Sequence, residues 1–449
     1  MTVIGTAGHV DHGKSTLVAA ITGRDPDRWE EEKRRGLTID LGFGWTTLPS
    51  GREVSFVDVP GHERFIKNML AGVEAIDVAL LVVAADEGWM PQSEEHLAVL
   101  DLLGASRGVV AVTKSDLVDD ETLQLATPEV IERLEGTSLE GSPVVTVSGR
   151  TRRGLDELLA ALDRAIPDPE EGDDPRLWVD RRFTVTGAGT VVTGTLLGGP
   201  LRVGDTLRVH PGGVDVRVRG LESHEREHER VEAHRRVAVN LADAPEDLGR
   251  GAMLGLPGRW DTTSRFTAEI RLARYVDELT GRGAFQLHVG TTAATARLRL
   301  LEEGAVITLD RPLPLRYGDR FIVRETGRRA VVAGGRVLDP APPRRGPALR
   351  SAAALPTDLS PADAASRLLE IRRRDALARL VAHTGAAPVA AELFGAVAVS
   401  PDEQARLEES AVATVAEFHR HNPLRPCMPT ATLASRLGTG VEMAAASAR

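Results

Sequence analysis

Residues Gly8, His9, Val10, Asp11, His12, Gly13, Lys14 and Ser15 spell G-x-x-x-x-G-K-[ST], right after the apolar run Val3-Ile4-Gly5 and right before a stretch of helical spacing. No other feature constrains the fold as tightly, because the motif works in one setting: a loop between a buried parallel strand and the start of a helix. There the glycines let backbone N–H groups close around phosphate oxygens. Lys14 offers positive charge to the β and γ phosphates, the helix dipole adds to the field, and Ser15 can ligate Mg²⁺. Thr16 follows at the helix start and is counted with the loop. The bland alternative, a chance Gly-rich turn, would not bring the downstream partners described below.

The surrounding pattern agrees. Val54 to Asp58, Ala79 to Val83 and Gly108 to Val112 are further short apolar runs, each followed by helical spacing. That alternation predicts a parallel sheet covered by helices, an α/β domain with a phosphate-binding loop (P-loop) over 1–170. A linker rich in Pro, Gly and acids runs from Pro167 to Pro175. From Leu177 the texture turns to short β-rich runs punctuated by Gly, as in Val214 to Val218 and Arg297 to Leu300. This predicts two antiparallel β-barrels, over 175–258 and 260–340. After a second linker, Pro340 to Pro347, the chain becomes Ala-rich and helical over 349–449, and its last residues from Met443 read as disordered. The expected fold class is therefore multidomain α/β plus β, with a helical C-terminal region.

Three more elements stand at ordered positions in the first domain. Asp58-Val59-Pro60-Gly61-His62 ends a strand: Asp58 can hold Mg²⁺ through water, Gly61 can offer its N–H to the γ phosphate, and His62 can orient the attacking water. Thr38, within Arg35 to Asp40, can bring its hydroxyl to Mg²⁺ and its N–H to the γ phosphate, which would make that loop sensitive to GTP against GDP. Thr113-Lys114-Ser115-Asp116 follows a buried strand. Asp116 can accept from the two N–H donors on the guanine edge, Lys114 can lie over the ring, and Ser148-Gly149 can brace the base. Adenine lacks that donor pair, so the ligand is GTP/GDP with Mg²⁺, and His62 and Lys14 are the catalytic candidates of a GTPase.

Composition bounds the partners. The 449 residues carry a net charge of −10, so nucleic acid can be met only through local basic patches. One cysteine, Cys427, leaves no internal disulfide. The N-terminus has no secretion pattern and no run is long enough for a membrane helix, so the expectation is a cytoplasmic monomer that uses no membrane.

The motifs GHVDHGKS, RGLTID, DVPGH and TKSD, with the two barrels, resemble the translational GTPases of the elongation factor Tu superfamily over roughly residues 1–339. The resemblance implies that His62 positions the hydrolytic water behind a gate of Val10 and Leu37. One departure is Thr113, where the superfamily has Asn. Thr113 offers no amide to the base and the neighbouring loop, so nucleotide affinity is expected to differ. AGHVDHGKST with RGLTIDLGF, the TKSD variant, the run from Asp180 to Thr195 and the C-terminal extension are similar to the selenocysteine-specific elongation factors. That similarity implies selenocysteinyl-tRNA as cargo, the ribosome as partner, and winged-helix repeats that grip an mRNA hairpin. The region from Leu349 is shorter than such a module requires, which leaves hairpin binding open. It also implies an aminoacyl pocket between the first domain and the barrel over 175–258, with Asp180 for the α-amino group and Arg181 and Arg250 for the selenolate. Ordinary rim arginines in surface pairs are the alternative.

Two other patterns were weighed. His224-Glu225-Arg226-Glu227-His228 matches H-E-x-x-H and His234 falls at a third-ligand spacing, but Val231 stands where that motif needs Gly, and a charged hairpin fits better. Arg344, Arg345 and Arg350 either touch tRNA or ribosomal RNA or are a solvated linker. The rival functions are a general aminoacyl- or initiator-tRNA carrier, which predicts no cationic pocket, and the GTPase subunit of a sulfate-activating enzyme, which predicts a partner adenylyltransferase. A nucleic-acid-binding protein with a merely structural GTPase domain is set against Lys14, Thr38, Asp58 and His62, all of them present.

Overall fold

The computed structural model describes residues 2–25, 41–60, 76–168, 172–185, 187 and 189–447. The chain adopts the expected α/β plus two-barrel architecture, followed by a helical C-terminal region.

The first unit is built on β1 (Thr2–Ala7), β2 (Gly42–Thr47), β3 (Glu53–Asp58), β4 (Val78–Ala84), β5 (Gly108–Thr113) and β6 (Val144–Thr146), in the order β2-β3-β1-β4-β5-β6. All neighbours are parallel except the edge pair β2–β3. The helices α1 (Lys14–Thr22), α2 (Pro91–Leu102), α3 (Asp120–Leu134) and α4 (Leu155–Ala165) cover both faces. Period-two alternation divides the core. Ala79, Leu81 and Val83 of β4 pack under α2 and α3, while Val78, Leu80 and Val82 pack under α1 and α4. Every residue of β4 is buried, and each large apolar side chain contributes roughly 1.5–3 kcal/mol. A strand covered on both faces explains why the sequence shows a continuous apolar run there rather than an alternating one.

The next unit comprises β7 (Arg176–Val185), β8 (Gly189–Leu197), β9 (Leu201–Arg202), β10 (Thr206–His210), β11 (Asp215–Ser223), β12 (Arg226–His228), β13 (Arg230–Val231), β14 (Arg235–Ala242) and β15 (Met253–Gly255). Its sheet runs β10-β15-β7-β8-β14-β11 and closes through the β10–β11 pairing into an antiparallel barrel. The second barrel is closed as well, in the order β16-β19-β18-β17-β20-β21, from β16 (Thr263–Leu272), β17 (Phe285–Val289), β18 (Thr292–Leu300), β19 (Ala305–Leu313), β20 (Arg320–Glu325) and β21 (Ala330–Asp339). Phe266, Phe285 and Phe321 fill its interior. Arg271 and Arg274 reach across to Asp101 and Glu94 of α2, both at 3.1 Å, seating the second barrel on the first unit.

The segment H-E-x-x-H is a hairpin. His224 and Glu225 take positive φ at the turn between β11 and β12, the backbone of a primed turn. Its histidines find separate partners: His224 meets the Ser55 hydroxyl at 2.9 Å, His228 the carbonyl of Ser223, and His234 the Asp77 carboxylate. They therefore do not converge on a metal.

The C-terminal region opens with α5 (Pro347–Ala353), α6 (Pro361–Arg372), β22 (Arg374–Ala376), α7 (Leu377–Thr384), β23 (Glu392–Phe394) and β24 (Val397–Val399), whose strands form a small antiparallel sheet in the order β22-β24-β23. Then come α8 (Pro401–His421), α9 (Thr430–Leu437) and α10 (Val441–Ser447). Ser360 and Ser400 cap α6 and α8 by accepting from the N–H three residues on. The disorder expected from Met443 is corrected: Met443 packs on Val399 and Leu407, and Ala444 on Ala411 and Leu433, which is enough apolar contact to order a short Ala-rich helix. Among the described residues no helix is long and apolar enough to cross a membrane.

Candidate nucleotide site and interdomain cleft

The loop after β1 is held from below by polar contacts. Gly8 has φ 129°, and a Cβ there would lie 2.1 Å from the carbonyl oxygen of Val82, so the loop crosses β4 at a distance only glycine permits. The Gly8 N–H donates to His96 Nδ1 at 2.9 Å, and the Val10 N–H to Gln92 Oε1 at 3.1 Å. Burial, reinforced by the charge on Lys14, pushes the His96 pKa down to about 3, so the ring is neutral and its Nδ1 is free to accept. His12 is likewise lowered by burial, to about 4, and its Nδ1 lies 3.3 Å from the carbonyl of Val82. Lys14, itself buried, donates to the carbonyls of Gly8 at 3.0 Å and His9 at 2.6 Å, which places its charge inside the loop's curve.

Ser15 lies in the first turn of α1, and its hydroxyl donates to Asp58 Oδ2 at 2.6 Å. The other carboxylate oxygen accepts from Thr6 at 2.6 Å, and the Val59 N–H donates to the same Thr6 hydroxyl. Asp58, fully buried at the end of β3, is thus fixed in orientation by a strand neighbour. Thr38, Leu37, Gly61 and His62 lie outside the described residues.

At the end of β5, Thr113 is buried and donates to the carbonyl of His12 at 2.6 Å. Thr113 offers the neighbouring loop a hydroxyl where the superfamily's Asn would offer an amide. Lys114 stands at φ 56° with its ammonium on Asp86 at 3.1 Å and Glu87 at 2.7 Å. Burial opposes its charge, but those hydrogen bonds outweigh it and its pKa is raised. Asp116 is exposed, its carboxylate held below the ordinary range by the Ser148 hydroxyl. Gly149 approaches α1 so closely that a Cβ would lie 3.3 Å from Thr16 Cγ2. The structure thus gathers the phosphate loop, Asp58, residues 113–116 and residues 148–149 at the C-terminal edge of one sheet, where open α/β sheets bind ligands. Sequence reasoning missed Thr6, Gln92, His96, Asp86 and Glu87. Only Thr6, a polar residue within an apolar strand, carried a local sign.

A second feature is a cleft of about 230 Å³ where β2 and β3 face the first barrel, lined in part by Phe43, Trp45, Arg181, Thr193, His224 and Arg236. Arg181 donates to the carbonyl of Leu41 at 2.7 Å. Arg236 lies 3.6 Å over the Phe43 ring and grips Asp180, which also accepts from Thr193 at 2.7 Å. A bulge between Val179 and Arg181 lets adjacent residues serve this cleft. Asp180 is buried behind Arg236, already paired. Arg250 is not part of the cleft wall: it is exposed in the turn before β15, where the Gly251 N–H bonds to the carbonyl of Val179. The arginines that line the cleft are Arg181 and Arg236.

Residues 1–168 match the family model described as elongation factor Tu GTP binding domain, and residues 263–344 the selenocysteine-specific elongation factor beta-barrel domain. Elongation factor Tu 2 of Streptomyces avermitilis is 36% identical over 366 residues, covering 72% of this chain and 93% of that protein. The chain belongs to the elongation factor Tu superfamily. Within that superfamily it matches the selenocysteine-specific elongation factors in sequence and fold. The factor of Desulfomicrobium baculatum is 43% identical over 352 residues, covering 75% of this chain and 56% of that protein. The chain therefore spans little more than half the length of that relative. A crystal structure of bacterial selenocysteine-specific elongation factor EF-Sec superposes with a TM-score of 0.86 at 27% identity, covering 99% of this chain and 77% of the other.

Proposed function

We propose that this chain is a GTP-dependent translation factor that binds selenocysteinyl-tRNA, delivers it to the ribosome at recoded UGA codons, and hydrolyses GTP to GDP and phosphate. The observation that carries the reading is the joint at the start of α1, where Lys14 sits within the loop and Ser15 meets the buried Asp58 at 2.6 Å. The working units are a GTPase domain over 1–170, barrels over 175–258 and 260–340, and a C-terminal region over 349–449, acting as a monomer in the cytoplasm.

The loop from Gly8 to Thr16 wraps the phosphates with its N–H groups, and Lys14 neutralises their charge. Asp116 takes the guanine edge, with Lys114 and Thr113 beside it and Ser148 and Gly149 behind. Ser15 and Asp58 are hard oxygen donors already in contact, a set that fits Mg²⁺, with Thr38 as the third side chain. When bound, Mg²⁺ offsets the negative charge that builds on the phosphate oxygens during transfer. His62 orients the attacking water, and Gly61 donates to the γ phosphate. The chain's part in catalysis is positioning and charge stabilisation.

The cargo's aminoacyl end enters the cleft beside Phe43. A selenol is more acidic than a thiol, so the side chain is an anion near neutral pH, and Arg181 and Arg236 select it over neutral serine. Asp180 holds Arg236 in place. The mRNA hairpin belongs to this reading as a partner of the C-terminal region.

The test is a GTP-dependent protection assay with selenocysteinyl- and seryl-tRNA on one tRNA body, scoring deacylation. Selective protection of the selenocysteine form, lost in Arg236→Ala, supports the reading. Equal protection of both removes selenium specificity. Protection of neither, with GTP bound, removes tRNA carriage.

A further inference from the structure

We propose that Asp86 and Glu87 are positioning residues for the guanine base: they pin the Lys114 ammonium so that its four-carbon stem forms a fixed shelf beneath the ring; the proposal rests on the reading above in which residues 113–116 hold that base. The sheet register sets the arrangement. Ala84 at the end of β4 lies beside Thr113 at the end of β5, and the Ala85 N–H donates to the Thr113 carbonyl at 2.9 Å. Past that pair the chain turns at once: the Gly88 N–H donates to the Ala84 carbonyl at 2.9 Å, with Gly88 at φ 69°. In an extended strand, neighbouring side chains point to opposite faces. Within this turn Asp86 and Glu87 instead reach one ammonium, at 3.1 and 2.7 Å.

The backbone of Lys114 is a second observation. Its φ of 56° lies in the left-handed region, which residues with long side chains seldom adopt. Strain of this kind persists where the surroundings over-determine it, and it collects at ligand sites. Here the Leu117 N–H donates to the Lys114 carbonyl at 2.9 Å, the neighbouring Thr113 is tied to the carbonyl of His12 at 2.6 Å, and two carboxylates hold the ammonium. The side chain runs from β5 across the end of β4, the strand that stands between β5 and β1, toward the phosphate loop. Glu87 lies at that crossing: its Oε1 is on Lys114, and its Oε2 is 3.8 Å from Nε2 of the fully buried His12. A single carboxylate thus spans the base loop and the phosphate loop.

An unpinned lysine stem must be ordered anew by each nucleotide that binds, whereas a stem held at both ends spares that entropy. Charge alone predicts the opposite sign. Two carboxylates close to a polyphosphate repel it, so as mere charges they weaken binding and their removal tightens it. As pins for Lys114 they strengthen binding, and their removal loosens it.

The experiment measures dissociation of a fluorescent GDP analogue from the full chain by stopped flow, chased with excess GDP. The variants are Asp86→Asn and Glu87→Gln, singly and together, Lys114→Ala alone and combined with that pair, and Asp116→Ala; denaturant unfolding is followed for each. The acid pair should speed dissociation roughly fivefold and each single substitution roughly twofold, as expected for half-buried ion pairs. In the Lys114→Ala background the same pair should change the rate by less than about twofold, because the carboxylates act only through the lysine. Slower or unchanged dissociation in the acid pair, with Lys114→Ala and Asp116→Ala both faster than the parent, leaves the base reading intact and overturns the positioning role alone. Equal acceleration with and without Lys114 overturns it too, since the carboxylates then act on the fold. If Lys114→Ala and Asp116→Ala both dissociate like the parent, the base reading fails and the proposal falls with it.

Discussion

Replacing Thr113 with Val keeps the side-chain shape and removes one hydroxyl, which here makes a buried hydrogen bond of 2.6 Å to the carbonyl of His12. His12 is fully buried, so its carbonyl loses a partner that water does not readily replace. A lost buried bond of this kind costs about 1–3 kcal/mol when the acceptor is left unsatisfied. Part of that cost falls on the fold and part on the ligand. The bond joins two parts of the protein and does not touch the ligand, so its loss reduces affinity only as far as it holds the loop in its binding shape. If half of a mid-range cost falls on the ligand, about 1 kcal/mol, Kd for GDP rises roughly fivefold; if all of it does, about thirtyfold. Titration with a fluorescent GDP analogue reads the affinity, and denaturant unfolding of the same variant reads the remainder. Thr113→Ser should stay within about twofold of the parent, because it keeps the donor. A Kd for Thr113→Val indistinguishable from the parent, with stability reduced, would refute the view that Thr113 preorganises the loop.

Ser15→Ala removes the hydroxyl that meets Asp58, and the gain in nucleotide affinity on adding Mg²⁺ should disappear in a titration with and without chelator. Gly8→Ala places a methyl group 2.1 Å from the Val82 carbonyl oxygen, so the variant should lose nucleotide binding and more than ~2 kcal/mol of stability by denaturant unfolding. His96 is neutral in the fold down to about pH 3, whereas an unfolded histidine takes a proton near pH 6.5. Between those values the unfolded chain binds more protons, so stability falls as pH falls, by roughly 2 kcal/mol from this residue between pH 7 and 5. His96→Gln keeps an acceptor for Gly8 and should flatten that part of the drop in unfolding measured at the two pH values.

The parallel sheet and the phosphate loop were legible in sequence because their signals are local: apolar runs of strand length, and a motif whose spacing sets a turn. The barrels were legible as texture, though not their closure, since the β10–β11 pairing depends on register that no short window carries. His96 and Gln92 were illegible for the same reason. They reach the loop from a helix more than eighty residues away, and nothing near them in sequence marks a partner. Arg236 was not legible beside Asp180, because the two are 56 residues apart in sequence. The bulge beside Asp180 and the register of β14 bring the two together. The helix from Val441 was read as disorder because alanine alone carries little pattern, and its order comes from the seats that Leu433 and Leu407 provide.

The strand β2 begins two residues after Asp40, close in sequence to Thr38, and it carries Phe43 and Trp45 into the cleft with the first barrel. Arg181 and Arg236 touch that strand's approach and its first ring, while Arg24, at the end of α1, lies 3.8 Å over Trp45. On the proposed reading, this six-residue strand joins the cleft for cargo to the stretch of sequence that holds Thr38. Any ligand that repositions it from one side alters the work of binding on the other, and the two changes must be equal. Whatever factor GTP adds to cargo affinity over GDP, cargo adds to the preference for GTP over GDP. A measurement at either site is then also a measurement at the other.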